Sequence, residues 1–467
     1  MDQPIVRLRS LELTNIKNVE YGKVELPNTL LKKSDPTSAE VLGIYGQNGS
    51  GKTAVIDGLH FLQQIMIGNR IDKSFADYID VSGDTAELDA SFDIFSSDIT
   101  YEADYHLSLR KVDESSVIID KESLSRSKSS KNKRFNKTVF MEYNRKNKDT
   151  VFTPKKRLEE LLDENKDYKM DLIVAKKMAE KSNCSYIFGE SSREIFFDDY
   201  KEGFKEYSFL LKTLFSFALR DLFVIRSSHS GMITAKIFLP MAFRIDDDEN
   251  GMKGDFAVSL AQPTVLDEKR LNVLHQIIDQ INLVLYTIIP EMKITINEYG
   301  KQMMNNGKEG HKIELMSSRE GLPPFPIRME SEGIIKIISI LNALIQAFGD
   351  ESICLAIDEF DAGIYEYMLG ELLGIFQENA KGQLIFTSHN LRALEMLGKE
   401  SIMFSTANPE NRYIHMKNIK GSNNLRDVYL RSITLGGQNE EIYKETDSLK
   451  IARAFRKAGR RRKNVTY

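Results

Sequence analysis

Eight residues, Gly46-Gln47-Asn48-Gly49-Ser50-Gly51-Lys52-Thr53, constrain this chain more than any other stretch. They follow a short apolar run, Val41-Leu42-Gly43-Ile44-Tyr45, and precede a helix-like segment, Ala54 to Met66. The spacing GxxxxGK[ST] between a strand and a helix is that of a phosphate-binding loop. Its glycines let successive backbone N–H groups and a helix N-terminus converge on phosphate oxygens. Gly46, Asn48, Gly49 and Gly51 would form the cradle, Lys52 would meet the β- and γ-phosphates, and the Thr53 hydroxyl would sit on Mg²⁺. ATP and Mg²⁺ are therefore the expected ligands.

With 467 residues, the chain is too long for one compact core. Its 64 basic and 68 acidic residues nearly cancel, so any attraction to a polyanion must be local. Cys184 and Cys354 lie far apart and outside any metal-binding spacing, as expected of reduced thiols in a cytoplasmic protein. The N-terminus has no signal-peptide core, and the most apolar helix-length run, 333–348, is interrupted by Lys336 and short for a membrane span.

Period-two alternation predicts strands at 5–13, 22–26, 86–94 and 101–109, followed by 116–119, as an antiparallel meander. Residues 123–137 are poor in apolar side chains and read as a boundary or flexible excursion. From 154 to about 226 the period becomes helical, with a buried helix expected over 207–223. A strand-like run at 237–243 leads into an acidic turn at 246–249. A helix is expected over 267–289, then strands at 293–298 and 312–316. The last third reads as helix 333–348, strand 353–357, helix 364–379, strand 383–387, helix 391–397 and strand 402–406. Continuous apolar strands alternating with helices predict a parallel sheet covered on both faces.

The strand 353–357 runs into Asp358-Glu359. Alone, such a pair often simply enters a turn. Beside a phosphate loop, Asp358 is the candidate metal ligand and Glu359 the candidate general base for an attacking water. The next strand ends Thr387-Ser388-His389-Asn390, which places His389 at the tip where parallel sheets bind ligands. His389 is a candidate for the γ-phosphate or the water, although a helix-capping loop histidine is the plainer alternative.

These residues together resemble the ABC/SMC-like ATPases, and within them the single-chain bacterial AAA family ATPases related to RecF and to the ATPase half of OLD proteins. The resemblance spans roughly 5–125 and 310–430 and includes Leu11-Glu12-Leu13-Thr14-Asn15-Ile16-Lys17-Asn18. It implies an α/β P-loop NTPase of ABC-ATPase-like type, a mixed sheet with an antiparallel β meander, plus a mainly helical insertion. The implied division is an N-terminal ATPase lobe at 1–125 and an insertion or lid at 126–290. A C-terminal lobe at 291–440 and a basic tail at 441–467 complete it. No heptad pattern is sustained long enough for an extended coiled coil. Met329-Glu330-Ser331-Glu332-Gly333-Ile334-Ile335-Lys336 resembles the family's signature segment in its ESxGxxK form. By that resemblance Ser331 and Gly333 would reach the γ-phosphate of a nucleotide held by a second copy. The chain departs from the transporter-type pattern at Glu332 and around 360–365. A Q-loop glutamine has no place, because Gln63 and Gln64 lie on the P-loop helix.

The resemblance thus implies an ATP-hydrolysing switch working as a homodimer or higher homo-oligomer, in genome maintenance or phage defence. Its action would fall on DNA or on a separately encoded effector protein, with no membrane involved. The alternative is an ATP-gated oligomeric scaffold that sequesters or releases a toxin or nuclease with little hydrolysis. Basic stretches at 126–137 and 453–463 are candidates for phosphate backbones, though neither interleaves aromatics for stacking. An appended nuclease domain after residue 430, as in full OLD proteins, is not expected.

Overall fold

The structure, a computed structural model, describes residues 3–79, 83–97, 99–114, 116–130, 133–163, 168–198, 202–245, 252–304, 307–416 and 424–461. The acidic turn at 246–249, residues 131–132 of the first basic stretch, and Arg462 and Lys463 lie outside them.

The chain opens with β1 (Ile5–Ile16) and β2 (Val19–Glu25), a short helix α1 (Pro27–Leu31), and the buried strand β3 (Glu40–Tyr45). The P-loop then leads into α2 (Lys52–Met66). Four long antiparallel strands follow, β4 (Thr85–Phe95), β5 (Ile99–Asp113), β6 (Ser116–Ser130) and β7 (Lys133–Asn144). They join β1 and β2 in a six-stranded sheet of order β2-β1-β4-β5-β6-β7. The meander is as expected, but 123–130 and 133–137 are strand: Leu124 is buried, and its neighbours Ser123 and Ser125 alternate onto the other face. Low hydrophobicity marked this stretch as an excursion, yet pairing with β5 and β7 satisfies its backbone.

Helices α3 (Lys155–Asp163), α4 (Tyr168–Ser182), α5 (Glu190–Phe196) and α6 (Lys205–Ser216) form the helical part that the periodicity predicts. The helix expected to run to Phe223 stops sooner. A π-helical turn at Phe217–Asp221 converts α6 into a strand, β8 (Leu222–Ile225). After α7 (Ser227–Thr234) come the hairpin β9 (Phe238–Ile245) and β10 (Met252–Ser259), then β11 (Thr264–Leu266) and α8 (Glu268–Ile288). Strands β12 (Met292–Met303), β13 (Glu309–Arg319) and β14 (Phe325–Pro326) form a small antiparallel sheet with β11. The last third contains α9 (Glu332–Gly349), β15 (Cys354–Ile357), α10 (Glu366–Asn379), β16 (Gln383–Thr387) and α11 (Ala393–Met396). It closes with β17 (Ile402–Ser405), β18 (Tyr413–Ile414), α12 (Leu425–Leu435) and α13 (Ser448–Arg461).

The central sheet has the order β18-β17-β3-β16-β15-β8, parallel except for β18. Strands β3, β15, β16 and β17 are buried throughout, as two-faced coverage requires. One face carries Leu42, Ile44, Ala356 and Ile385 into a core shared with α2 and the antiparallel sheet. The other carries Val41, Tyr45, Leu355, Ile357 and Phe386 against α9, α10 and α12. A polar clamp ties the two sheets together: Gln383 bonds both the N–H and the C=O of Leu8, at 2.9 and 2.8 Å, and buried Arg7 pairs with Glu40 at 3.2 Å. The α/β P-loop architecture with an antiparallel meander is thus the one the sequence implies. Two segments within 126–290 do not stand apart from the ATPase core: residue 125 lies within β6, and β8 is a member of the central sheet. Helix α9 has the length and composition to cross a membrane, and 61% of that stretch is buried inside the protein.

Candidate functional site

The P-loop leaves β3 and wraps into α2 with Gly49 and Gly51 at φ of 78° and 88°, values that side-chain-bearing residues rarely adopt. Asn48 is exposed at its crown. Lys52 is 7% exposed, and its ammonium donates to the carbonyls of Gly46 and Gln47 at 2.9 and 3.0 Å. Burial holds its pKa below the usual lysine value, opposed by the charges of Asp358, Asp361 and Glu359. The loop is braced from β17 and β18. Ser405 meets Ser50 through their hydroxyls, and the Tyr413 hydroxyl donates to the Gly51 carbonyl at 2.6 Å.

Two strands away, β15 ends at Asp358, which is 2% exposed. Its Oδ1 accepts from Thr387 Oγ1 at 2.6 Å and from Thr53 Oγ1 at 3.3 Å. Its Oδ2 is buried with no hydrogen-bond partner. A buried carboxylate oxygen left open beside a threonine hydroxyl is a hard oxygen donor set, so Thr53 and Asp358 fit a divalent cation of the Mg²⁺ kind. Glu359 follows in the left-handed region at φ 50°, its N–H donating to Thr387 Oγ1 at 2.8 Å. Thr387, on the neighbouring strand β16, therefore holds the Asp358 carboxylate and the Glu359 backbone. Sequence reasoning missed it, since only the parallel register Ile357↔Phe386 puts it there.

His389 lies exposed just past the tip of β16, and its backbone N–H donates to Asp361 Oδ2 at 3.1 Å. Partial desolvation, and then the Lys52 charge, hold its imidazole below its ordinary pKa. Asp361 Oδ1 is a second buried, unpartnered carboxylate oxygen.

Ser331 caps α9 by accepting from the Ile334 N–H at 3.4 Å. The contacts of this helix start run to the turn after Glu359. A Cβ added at Gly333 would stand 1.9 Å from the Gly363 carbonyl oxygen, so the two backbones touch there. One turn on, Lys336 is 5% exposed and its ammonium bonds the Glu359 carbonyl. Burial lowers its pKa, opposed by Asp361, Glu359 and Asp358. The structure therefore gathers the P-loop, Asp358, Glu359 and His389 along one edge of the sheet. Ser331 and Gly333 join them through the Glu359 turn.

The strand beside β15 on its other side is β8, and Asp358 N–H donates to Ile225 O at 2.9 Å. Arg226 stands at the tip of β8, directly after Ile225. Arg226 Nε pairs at 3.0 Å with buried Asp57 of α2, and its other end donates to the Tyr78 hydroxyl at 2.7 Å. A four-residue apolar strand at the end of a helical run carries no periodicity of its own, which hid this position.

Residues 190–395 match the family described as "AAA domain, putative AbiEii toxin, Type IV TA system". That stretch holds β8, Ser331, Gly333, Asp358, Glu359 and His389, and the P-loop lies ahead of it. No curated protein matches the chain. Among solved structures, it is similar to the Smc head domain of Pyrococcus furiosus bound to the C-terminal domain of ScpA. The identity is 12% and the TM-score 0.40, over 88% of this chain and 96% of that one. The SMC head domain of Thermotoga maritima gives 10% and 0.35, over 88% and 100%. The recombination mediator RecF with ATP gives 12% and 0.30, over 82% and 94%.

Proposed function

On the fold of an ABC/SMC-like AAA ATPase, we propose that this chain binds ATP and hydrolyses it as a molecular switch. One observation carries the reading most: Thr53, Asp358, Glu359 and Thr387 converge at the edge of three neighbouring strands around a buried carboxylate oxygen that has no partner. The P-loop amides and Lys52 would hold the phosphates. Mg²⁺, held by Thr53 and Asp358, would neutralise developing phosphate charge. Glu359 would polarise the attacking water, and His389, kept neutral near pH 7, would order it or meet the γ-phosphate.

The proposed switch closes against a second copy, whose Ser331, Gly333 and α9 N-terminus would face the γ-phosphate. The exposure of Ser331 at a helix N-terminus supports this, since such a terminus favours an anion. Lys336 would report closure to Glu359. The setting we favour is cytoplasmic defence through a separately encoded effector, a reading supported by the toxin–antitoxin wording of the matched family. DNA would be a secondary ligand through the basic strands around 126–137. Residues 155–216 would form the helical lid or partner-docking module within 126–290.

The scaffold alternative is favoured by the departure from the transporter-type pattern at Phe360-Asp361-Ala362-Gly363-Ile364-Tyr365. Steady-state turnover decides between them. The switch gives ATP hydrolysis that Glu359→Gln suppresses while trapping a nucleotide-bound dimer, seen by light scattering. Binding and assembly without turnover in the wild type would sink the switch and leave the scaffold. Lys52→Ala weakens ATP binding by roughly tenfold or more in either case; unchanged binding would remove the P-loop assignment.

A further inference from the structure

Helix α13 and an apolar groove are complementary, and among the described residues nothing covers Phe455 or Ile375, which are 76% and 53% exposed. The helix carries Lys450, Arg453, Arg456, Lys457, Arg460 and Arg461 and no acidic residue. Helical spacing puts Lys450, Arg453, Arg456 and Lys457 on one side and Ile451, Ala452, Phe455 and Ala458 on the other. Phe455 is 76% exposed and Ile451 45%, so the apolar side faces solvent. An apolar stripe of this kind is ordinarily paid for by a partner.

The groove lies between α8, α9 and α10. It encloses about 320 Å³ and is lined almost wholly by apolar side chains, among them Ile288, Leu344, Ile345, Phe348, Ile375 and Phe376. Its α10 wall is rimmed by Glu371 and Glu378, one heptad apart and exposed, and α10 contains no basic residue. The groove thus offers an apolar floor with an acidic edge, and α13 offers an apolar stripe with a basic edge. The spacing Ile451, Phe455, Ala458 matches how a helix anchors in a groove, at i, i+4 and i+7.

We propose that α13 of one copy docks into the α8–α9–α10 groove of a second copy, Phe455 entering beside Ile375 and the basic side lying along Glu371 and Glu378. Exchange around a two-fold axis fills both grooves and buries both stripes. A second copy is favoured over the chain's own helix because within the one chain Phe455 and the groove residue Ile375 both stay exposed, at 76% and 53%. Lys444 is held at the P-loop, its N–H on Gln47 Oε1 at 3.1 Å. Only residues 445–447 separate it from Ser448, a reach of roughly 14 Å when fully extended. The groove runs from Phe360, next to Glu359, to Phe348 at the opposite edge of the sheet, where Lys381 N–H donates to Phe348 O just ahead of β16.

The test needs no nucleotide, so it stands or falls apart from the ATPase reading. Full-length Phe455→Cys and Ile375→Cys chains are mixed and oxidised. The expected product is a disulfide-linked pair, at least tenfold more abundant than from Phe455→Cys mixed with Val112→Cys, which lies on the antiparallel sheet. Glu371→Lys with Glu378→Lys in the Ile375→Cys chain, its fold checked by circular dichroism, abolishes the product. Cross-linking confined to single chains carrying both cysteines would give the groove to the chain's own helix. Recruitment of α13 to phosphatidylserine vesicles without cross-linking would give the stripe to a lipid surface. Either result overturns the proposal, as does the absence of any cross-link.

Discussion

Gly333 meets a demand that Ser331 and Glu332 beside it do not share, because its Cα lies against the backbone of Gly363 in the turn behind Glu359. Gly333→Ala would force the start of α9 away from that turn. We expect a loss of about 1–3 kcal/mol in stability and a fall of at least tenfold in ATP turnover, with ATP binding retained. Equilibrium denaturation and a turnover assay check the two parts, and full turnover would show that the contact is dispensable. The P-loop, Asp358, Glu359 and His389 were legible because each is carried by contiguous residues with its own chemistry. Thr387 and Arg226 were not, since their places depend on which strands become neighbours. Lys336 was visible only as the last letter of a resemblance; its bond to the Glu359 carbonyl belongs to the folded chain.

Among the elements, β6 carries a side chain that its pattern does not announce. Glu122 is wholly buried and accepts from the Tyr105 hydroxyl at 2.6 Å, from the Ser185 hydroxyl, and from the N–H groups of Tyr186 and Ile187 at 2.9 and 3.3 Å. Burial raises its pKa, and the four donors oppose the rise. It stitches β5 and β6 to the segment ahead of α5. Removing it strands several buried donors, so Glu122→Ala should cost about 3–5 kcal/mol, measured by urea denaturation; a loss below about 1 kcal/mol would mean that the donors find other partners. Strands β6 and β7 also show where reading by composition fails. A segment can be polar and still be strand when its neighbours supply the hydrogen bonds. Strand β8 fails in the opposite sense, because four apolar residues continue a helix's hydrophobicity while changing its geometry.

Across the whole molecule, His60, His229, His389 and His415 are held below their ordinary pKa, each chiefly by burial. For a group whose folded pKa is depressed, the stability it confers is complete above the unfolded value, near 6.5, and is lost as pH falls through the folded value. His106, raised by its bond to Asp89, runs the other way, its contribution being lost as pH rises. Burial pushes the Asp93 and Asp221 carboxyls up to about 6 and about 7, so these run with His106 and gain stability as pH falls. The change in melting temperature from pH 7.5 to pH 5.5 is therefore expected to be less unfavourable in His415→Gln than in the wild type. An identical change in both proteins would contradict the role given to His415.

Strand β3, at the start of the P-loop, lies between β16 and β17 in the central sheet. Both neighbours are made roughly 340 residues later, so at ordinary rates of synthesis β3 waits on the order of 15–70 s for its first partner. Until then, a six-residue apolar strand emerges with both edges open. The antiparallel sheet and α2 can bury one of its faces, but its ladder must wait. The chain therefore enters the cell with an open-edged apolar strand made early and completed late, and a ribosome stalled near residue 380 would release a product suited to chaperone capture or proteolysis.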